Sequence, residues 1–209
     1  MKFEWLGHAC FAITLTNGKT IITDPHDNIG YPPLNRTSDI ITVSHQHHDH
    51  NAVHAVSGLP QVIQNEGVHK LDEVEITGVQ SFHDNIKGAR GGRNLIYVIA
   101  AEGLRICHLG DLGHLPDEGQ IKSIGRVDVL MVPVGGFYTI DDSQAAGVVE
   151  QLLPKYILPM HYKTDLISFP ISGPDKFLAH YPGYLTLKVL EVTVERLPAH
   201  PQAVLLELA

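Results

Sequence analysis

Fourteen of the 209 residues are histidine, and four of them fall in one short run. The segment Val43-Ser44-His45-Gln46-His47-His48-Asp49-His50 contains an HxHxDH pattern directly after an apolar stretch. Imidazole nitrogen and carboxylate oxygen both bind zinc-type cations at about 2.0–2.2 Å. His45 and His47 are two positions apart, so in an extended or tightly looped backbone they point the same way and can share one cation. Asp49 and His50 then turn in the other direction and can hold a second. A purification-like histidine run sits at a terminus, whereas this one lies within the chain.

Cations need more ligands than this run offers, and in α/β architectures ligands converge at strand ends. His83 follows Val79-Gln80-Ser81-Phe82. Asp111 follows Ile106-Cys107-His108-Leu109-Gly110, where the glycine allows close approach. His161 follows Tyr156-Ile157-Leu158-Pro159-Met160. Together with HxHxDH these complete two sites. The donors are nitrogen and oxygen with no thiolate, a set that suits zinc first and also manganese, iron or nickel. Cys10 and Cys107 form neither a CxxC motif nor a disulfide framework, and are expected to pack as small apolar residues.

Elements that could position these residues are legible as apolar stretches of strand length. They run over Phe3–Leu6, Cys10–Leu15, Thr20–Thr23, Asp39–Val43, Val62-Ile63, Glu73–Val79, Leu95–Ala100, Leu104–Leu109, Val127–Val132, Tyr156–Pro159, Glu191–Glu195 and Val204–Leu208. Asn17-Gly18 is a hairpin turn signal. Helices are expected at Asn51–Ser57, at Pro116–Ile124 with proline in the first turn, at Asp141–Leu153 and at Pro174–His180. The third is the clearest: Asp141 or Asp142 can cap it, Ala145, Val148, Val149 and Leu152 share a face, and Pro154 stops it. Hairpins followed by strands alternating with helices point to sheets covered by helices.

Composition narrows the function. Hydrophobic residues make up 44 % and charged residues 18 %, as in a globular chain. One domain spanning residues 1–209 is expected. No apolar run is long enough for a membrane span, and no export signal is visible at the start, so a cytoplasmic location is expected. Fifteen Lys+Arg against 23 Asp+Glu give a net charge of −8, which argues against binding long nucleic acid. The loop Gly88-Ala89-Arg90-Gly91-Gly92-Arg93-Asn94 lacks the P-loop pattern. It reads either as a solvated loop or as an anion-contacting lip.

HxHxDH, then His83, Asp111 and His161 in that order, make the chain resemble the metallo-β-lactamase superfamily. Asp24 in Ile21-Ile22-Thr23-Asp24-Pro25 matches that family's early aspartate. More narrowly, the chain is similar to the small single-domain Zn-dependent hydrolases related to ascorbate-6-phosphate lactonase. Trp5–Phe11, His108–His114, Pro133–Ile140 and Pro159–Thr164 carry this likeness, which covers the chain from Met1 to Lys163. The resemblance implies an α/β fold, a four-layer αββα sandwich with two divalent metal ions at one edge. It implies that His45, His47 and His83 hold one metal, that Asp49, His50 and His161 hold the other, and that Asp111 bridges them. A hydroxide between the metals is the family's nucleophile. Two dications against Asp49 and Asp111 leave such a site positive by about two charges, which suits an anionic substrate.

The function expected is therefore a dinuclear hydrolase acting on a small anionic ester or lactone. The alternatives are a phosphodiesterase on a small nucleotide and a non-enzymatic metal-binding protein. Asp49 is the candidate to orient the nucleophile and accept a proton. Arg90, Arg93 and Asn94 are candidates to bind substrate from the glycine-rich loop. Tyr138, Tyr162 and Lys163 follow strand ends, where a hydroxyl or ammonium can stabilise an oxyanion. Asp24 is expected to buttress the His45–His50 loop, His48 to face solvent, and His114 to stand behind the metal ligands. His8 reads as structural or ligand-contacting, and Asp84 as a partner for His83 or a plain strand-end carboxylate. His26, His54, His69, His180 and His200 are expected on the surface. The chain ends too early for the helical domain of glyoxalase-II-like thioesterases. The apolar tail around Val204-Leu205-Leu206 either closes the core or pairs with a second copy in a homo-oligomer.

Overall fold

The computed structural model describes residues 1–209. Its strands form two sheets. The six-stranded sheet has the order β13-β1-β2-β3-β4-β5, from β1 (Lys2–Gly7), β2 (Cys10–Thr14), β3 (Thr20–Thr23), β4 (Ile40–Thr42), β5 (Gln61–Ile63) and β13 (Leu190–Glu191). The eight-stranded sheet has the order β12-β14-β11-β10-β9-β8-β7-β6. It comprises β6 (Gly67–Leu71), β7 (Val74–Phe82), β8 (Arg93–Ala101), β9 (Leu104–His108), β10 (Val129–Pro133), β11 (Tyr156–Met160), β12 (Leu185–Leu187) and β14 (Gln202–Leu206).

Side-chain alternation explains why the sheets stack. Phe11, Ile13, Ile21 and Ile40 enter the large core, while their neighbours Cys10, Ala12, Ile22 and Ile41 enter a smaller cluster on the opposite face. A strand places successive side chains on opposite faces, so these short apolar runs serve two layers at once. Each fully buried Ile or Phe contributes about 1.5–3 kcal/mol. Val53, Ala55 and Val56, in and beside a single 3-10 turn (Val53–Ala55), cover the smaller cluster together with Leu34. Helices α1 (Glu118–Ile124), α2 (Asp142–Leu152) and α3 (Asp175–Leu178) add their buried faces to the large core. The sandwich is thus of the expected class, with a thin outer layer over the six-stranded sheet.

Local chemistry sets the helix ends. Asp141 caps α2 by accepting from the Gln144 N–H, and Leu153 ends it in a left-handed turn before Pro154. Asp117, not Pro116, caps α1, so the proline lies outside the helix. The helix expected at Asn51–Ser57 is only the 3-10 turn. The strand expected at Glu191–Glu195 is only Leu190–Glu191, opposite Phe3 and Lys2, with Val192 still exchanging hydrogen bonds with Met1 before the chain enters the 3-10 turn Val194–Arg196. Strands β6 and β12 lie at the two edges of the eight-stranded sheet with most side chains exposed, and only Leu71 and Leu187 reach the core. The tail closes the core: β14 inserts between β11 and β12, with Val204 fully buried.

Strand direction creates the functional edge. β1 and β3 run parallel to β4, through the intervening antiparallel β2. β7 runs parallel to β9 through antiparallel β8, and β9, β10 and β11 are parallel. Within each sheet these strands therefore end on one side. The sheets are stitched there by the Tyr97 hydroxyl, which donates to Val43 and Ile63 carbonyls, by Leu95 N–H on Ser44, and by His108 Nε2 on Ala9. Burial pushes the thiols of Cys10 and Cys107 up, as suits unreactive core residues. No helix is long and apolar enough to cross a membrane.

Candidate metal centre

Six strands deliver residues to this edge from their C-terminal ends. β1 presents His8, β3 presents Asp24, and β4 leads into His45–His50. From the other sheet, β7 presents His83, β9 leads through Gly110 to Asp111, and β11 presents His161. All seven expected ligands meet. Asp111 Oδ2 lies 2.9 Å from His83 Nε2, 3.2 Å from both His50 and His161 Nε2, and 3.7 Å from His45 Nε2. His45 Nε2 and His47 Nδ1 are 3.0 Å apart, and His50 Nε2 lies 3.7 Å from Asp49 Oδ2.

Those separations suit a shared cation. Tetrahedral ligands on bonds of about 2.1 Å stand about 3.4 Å apart. The donor atoms form the groups His45–His47–His83 and His8–Asp49–His50–His161, each within 4.8 Å. Buried polar atoms normally find partners. Here His50 Nε2 and Asp111 Oδ1 are buried without a hydrogen bond, a pattern that cation coordination would resolve. The residues present therefore fit metal ions on their own geometry.

One buried carboxylate organises much of the HxHxDH loop. Asp24 accepts from the Ser44 N–H at 2.7 Å, from the Ser44 hydroxyl, and from His50 Nδ1 at 2.9 Å. Ser44 Oγ accepts in turn from His45 Nδ1 at 2.9 Å. Both imidazoles thus carry a proton on Nδ1 and turn Nε2 inward, the nitrogen free to coordinate once it is unprotonated. Asp24 buttresses the loop as expected, and Ser44, the residue before the motif, is the relay that sequence reasoning missed.

Electrostatics follow from burial and crowding. Burial alone would raise the Asp111 carboxyl, but the His161 and His50 imidazoles hold it well below the usual carboxylate range. Burial opposes protonation of His50, yet Asp111 and Asp24 raise it well above ordinary histidine. His45 is pushed down to about 3 by burial, with His50 adding to the effect. Burial and His83 lower His47. The His45–His47 pair is therefore neutral near pH 7 and able to donate lone pairs.

Other expected residues sort differently. Asn94 is fully buried and cannot reach a substrate. Its Nδ2 donates to Ser81 Oγ and Leu109 O, and its Oδ1 accepts from the Asp111 N–H at 3.0 Å, so it places the Asp111 loop. Lys163 Nζ is spent on the carbonyls of Ile167 and Phe169. Tyr162 is buried and stacks on Trp5. Asp84 does not touch the His83 ring. It accepts four backbone N–H groups of the glycine-rich loop, from Ile86, Gly88, Arg90 and Gly91, at 2.7–2.9 Å. His114 accepts from the Phe82 N–H and braces the end of β7. His26 is buried, not on the surface, and donates to Leu6 O. His48 is exposed.

A cavity of about 290 Å³ opens onto the ligands, walled by His48, Tyr138 and Phe169. Arg90 and Arg93 line neighbouring hollows on either side of His47. Phe169 carries no sequence signal, and Phe137 lies in the Pro133–Ile140 stretch with no role assigned to it from sequence.

A family model described as the β-lactamase superfamily domain matches residues 2–161. The chain belongs to the metallo-β-lactamase superfamily. A metal-dependent hydrolase of Thermoplasma acidophilum is 30 % identical over 206 residues, covering 86 % of this chain and 90 % of that one. A Thermotoga maritima crystal structure, described as a Zn-dependent hydrolase of the metallo-β-lactamase superfamily, is 42 % identical. It superposes with a TM-score of 0.84 over 99 % of this chain and 98 % of that one. The short form of human tRNase Z shares the fold alone, at 11 % identity and a TM-score of 0.57, over 78 % of this chain and 93 % of that one. This superfamily member is a metal-dependent hydrolase, and the edge described above is where its chemistry-bearing residues gather.

Proposed function

We propose that the protein is a dinuclear hydrolase acting on a small anionic ester or lactone. The observation that carries this reading is the position of Asp111 Oδ2, within 3.2 Å of His83 Nε2 on one side and of His50 and His161 Nε2 on the other. His45, His47 and His83 would hold one cation, Asp49, His50 and His161 the second, and Asp111 would bridge them. Zinc fits this donor set best. When bound, two such cations supply Lewis acidity and a nucleophilic hydroxide near neutral pH.

The chain's own residues do the rest. Asp49 orients the attacking water through one carboxylate oxygen and takes its proton. Oxygen adds to the carbonyl carbon, the ester C–O bond breaks, and Asp49 returns the proton to the departing alkoxide. Tyr138 lines the cavity, and its hydroxyl would donate to the oxyanion. Arg90 and Arg93 have no acidic partner among the ion pairs and supply positive charge for an anionic substrate.

Turnover of the zinc-loaded protein on parallel panels of lactones, carboxylic esters and bis-4-nitrophenyl phosphate tests this. Hydrolysis of esters or lactones, lost in Asp49→Asn even at zinc concentrations that refill the second site, is the expected result. Turnover of the phosphodiester alone would overturn the substrate class, and metal binding without any turnover would overturn the catalytic reading.

A further inference from the structure

A second cleft, of about 720 Å³, adjoins the metal cavity and shares His47, His83 and Tyr138 with it. The cavity at the metals has room for the reacting group of a small substrate. The cleft beyond it is of a size that binds a whole further substituent.

Its walls have a definite chemistry. Phe137 is 75 % exposed and has φ +61°, a left-handed conformation that costs a phenylalanine energy. The turn that holds it is fixed by Tyr138 N–H on Gly136 O at 2.7 Å and by Ile140 N–H on Leu112 O at 2.9 Å. Its one aromatic neighbour is Tyr138, edge-on at 4.7 Å. The chain thus maintains a strained backbone that presents an aromatic ring to solvent beside its reactive centre. Ile86, also exposed, lines the same cleft.

The cleft holds one carboxylate, Asp84, and one guanidinium, Arg90. The Asp84 carboxylate is already satisfied by four loop N–H groups. The same bonds fix the backbone of Arg90, whose guanidinium forms no ion pair and no hydrogen bond within the chain. An unpaired guanidinium and an exposed ring in one cleft match a ligand that carries both an apolar group and an anion.

We propose that this cleft binds an amphipathic arm of the substrate, with an aryl or similarly bulky apolar group against Phe137 and a terminal carboxylate or phosphate on Arg90. The proposal rests on the hydrolase reading above and specifies its substrate class. Phe137 and Arg90 are then specificity determinants, and substrates without the arm are poor ones.

Three 4-nitrophenyl esters test it on the zinc-loaded protein: propionate, 3-phenylpropionate and 3-(4-carboxyphenyl)propionate. We expect kcat/KM to rise about tenfold with the ring and about tenfold again with the carboxylate. Phe137→Ala should collapse the first ratio. Arg90→Gln should collapse the second, and Arg90→Lys should restore part of it. Equal kcat/KM across the series, or ratios unchanged in the variants, would overturn the proposal. If none of the esters turns over, the ester hydrolase reading fails separately, and calorimetric titration of the three free acids still decides about the cleft. Tighter binding along the same series, lost in the same variants, supports it. Uniform or absent binding overturns it.

Discussion

His8, which follows β1, and Asp49, which follows β4, meet at the metal edge: the His8 Nε2–H donates to Asp49 Oδ2 at 3.2 Å. His8 is buried at φ +54°, and its carbonyl accepts from the Trp5 indole and from the His161 N–H at 3.0 and 3.1 Å. One residue therefore steadies both the carboxylate and the backbone of two expected ligands to the second metal. Removing such a supporting hydrogen bond typically costs about 10–100-fold in metal affinity. His8→Phe should weaken the second metal by that factor in a chelator competition, while His8→Gln, whose amide keeps a donor near Nε2, should lose much less. Equal affinity in the two variants would show that the bond has no such role.

Asp24 links two ligands to one buried carboxylate. Asp24→Ala leaves His50 Nδ1 and the Ser44 N–H unpaired in the interior. Breaking a buried charged contact costs about 3–5 kcal/mol. Urea denaturation of the metal-free variant should show a loss of that size, and elemental analysis should show both metals of the proposed centre depleted, since His45 and His50 would serve different sites in it. Depletion of one metal only would mean that the Ser44 relay does not govern His45.

Gly110 lets the Asp111 loop pass close to the HxHxDH loop. A Cβ there would come within 2.3 Å of Asn94 Oδ1 and 2.7 Å of Ser44 Cβ, at φ +55°. Overpacking costs about 1–3 kcal/mol, and the left-handed backbone about 1–2 kcal/mol more for a residue with a Cβ. Gly110→Ala should lower the melting temperature and displace Asp111, visible as lost metal. A variant with wild-type stability and metal content would contradict the close approach.

The Asp84 loop gives a pH dependence with a definite sign. Burial would raise the Asp84 carboxyl, but the N–H groups of Gly91, Arg90, Gly88 and Ile86 outweigh it and hold it below the usual range. An unfolded aspartate titrates near about 3.9. Below that value the unfolded loop binds the proton more readily than the folded one, so loop stability is full above about pH 4 and falls as the pH drops further. Amide exchange, corrected for intrinsic rates, should show Gly88, Arg90 and Gly91 protected at pH 6 and losing protection below about pH 4. In Asp84→Ala the protection should be absent at both. Unchanged protection in that variant would contradict the assignment.

The convergence of these side chains was legible because metal ions demand particular donors at particular spacings, and HxHxDH followed by His83, Asp111 and His161 has the donors and spacing of such a set. Strands of both sheets were legible where both faces are apolar, as in β9 and β10. Asn94 was misread because its place beside two arginines suggested a loop. Its pairing opposite Ser81 in the β7–β8 ladder instead turns it into the interior. Lys163 follows His161 by two positions, but the chain turns at His161 with φ +50° and sends the ammonium to loop carbonyls. Phe137 was invisible because its exposure depends on a turn fixed by Leu112, far away in sequence. β6 and β12 were missed because they are edge strands with mostly exposed side chains, β12 being only three residues long.

The central claim is that two metal ions share Asp111, and metal content of the untagged, zinc-reconstituted protein tests it most directly. Elemental analysis after dialysis should give about two zinc per chain, falling in Asp111→Ala as the shared ligand is lost. One zinc per chain at saturation would contradict the dinuclear centre, and none would contradict the metal site itself.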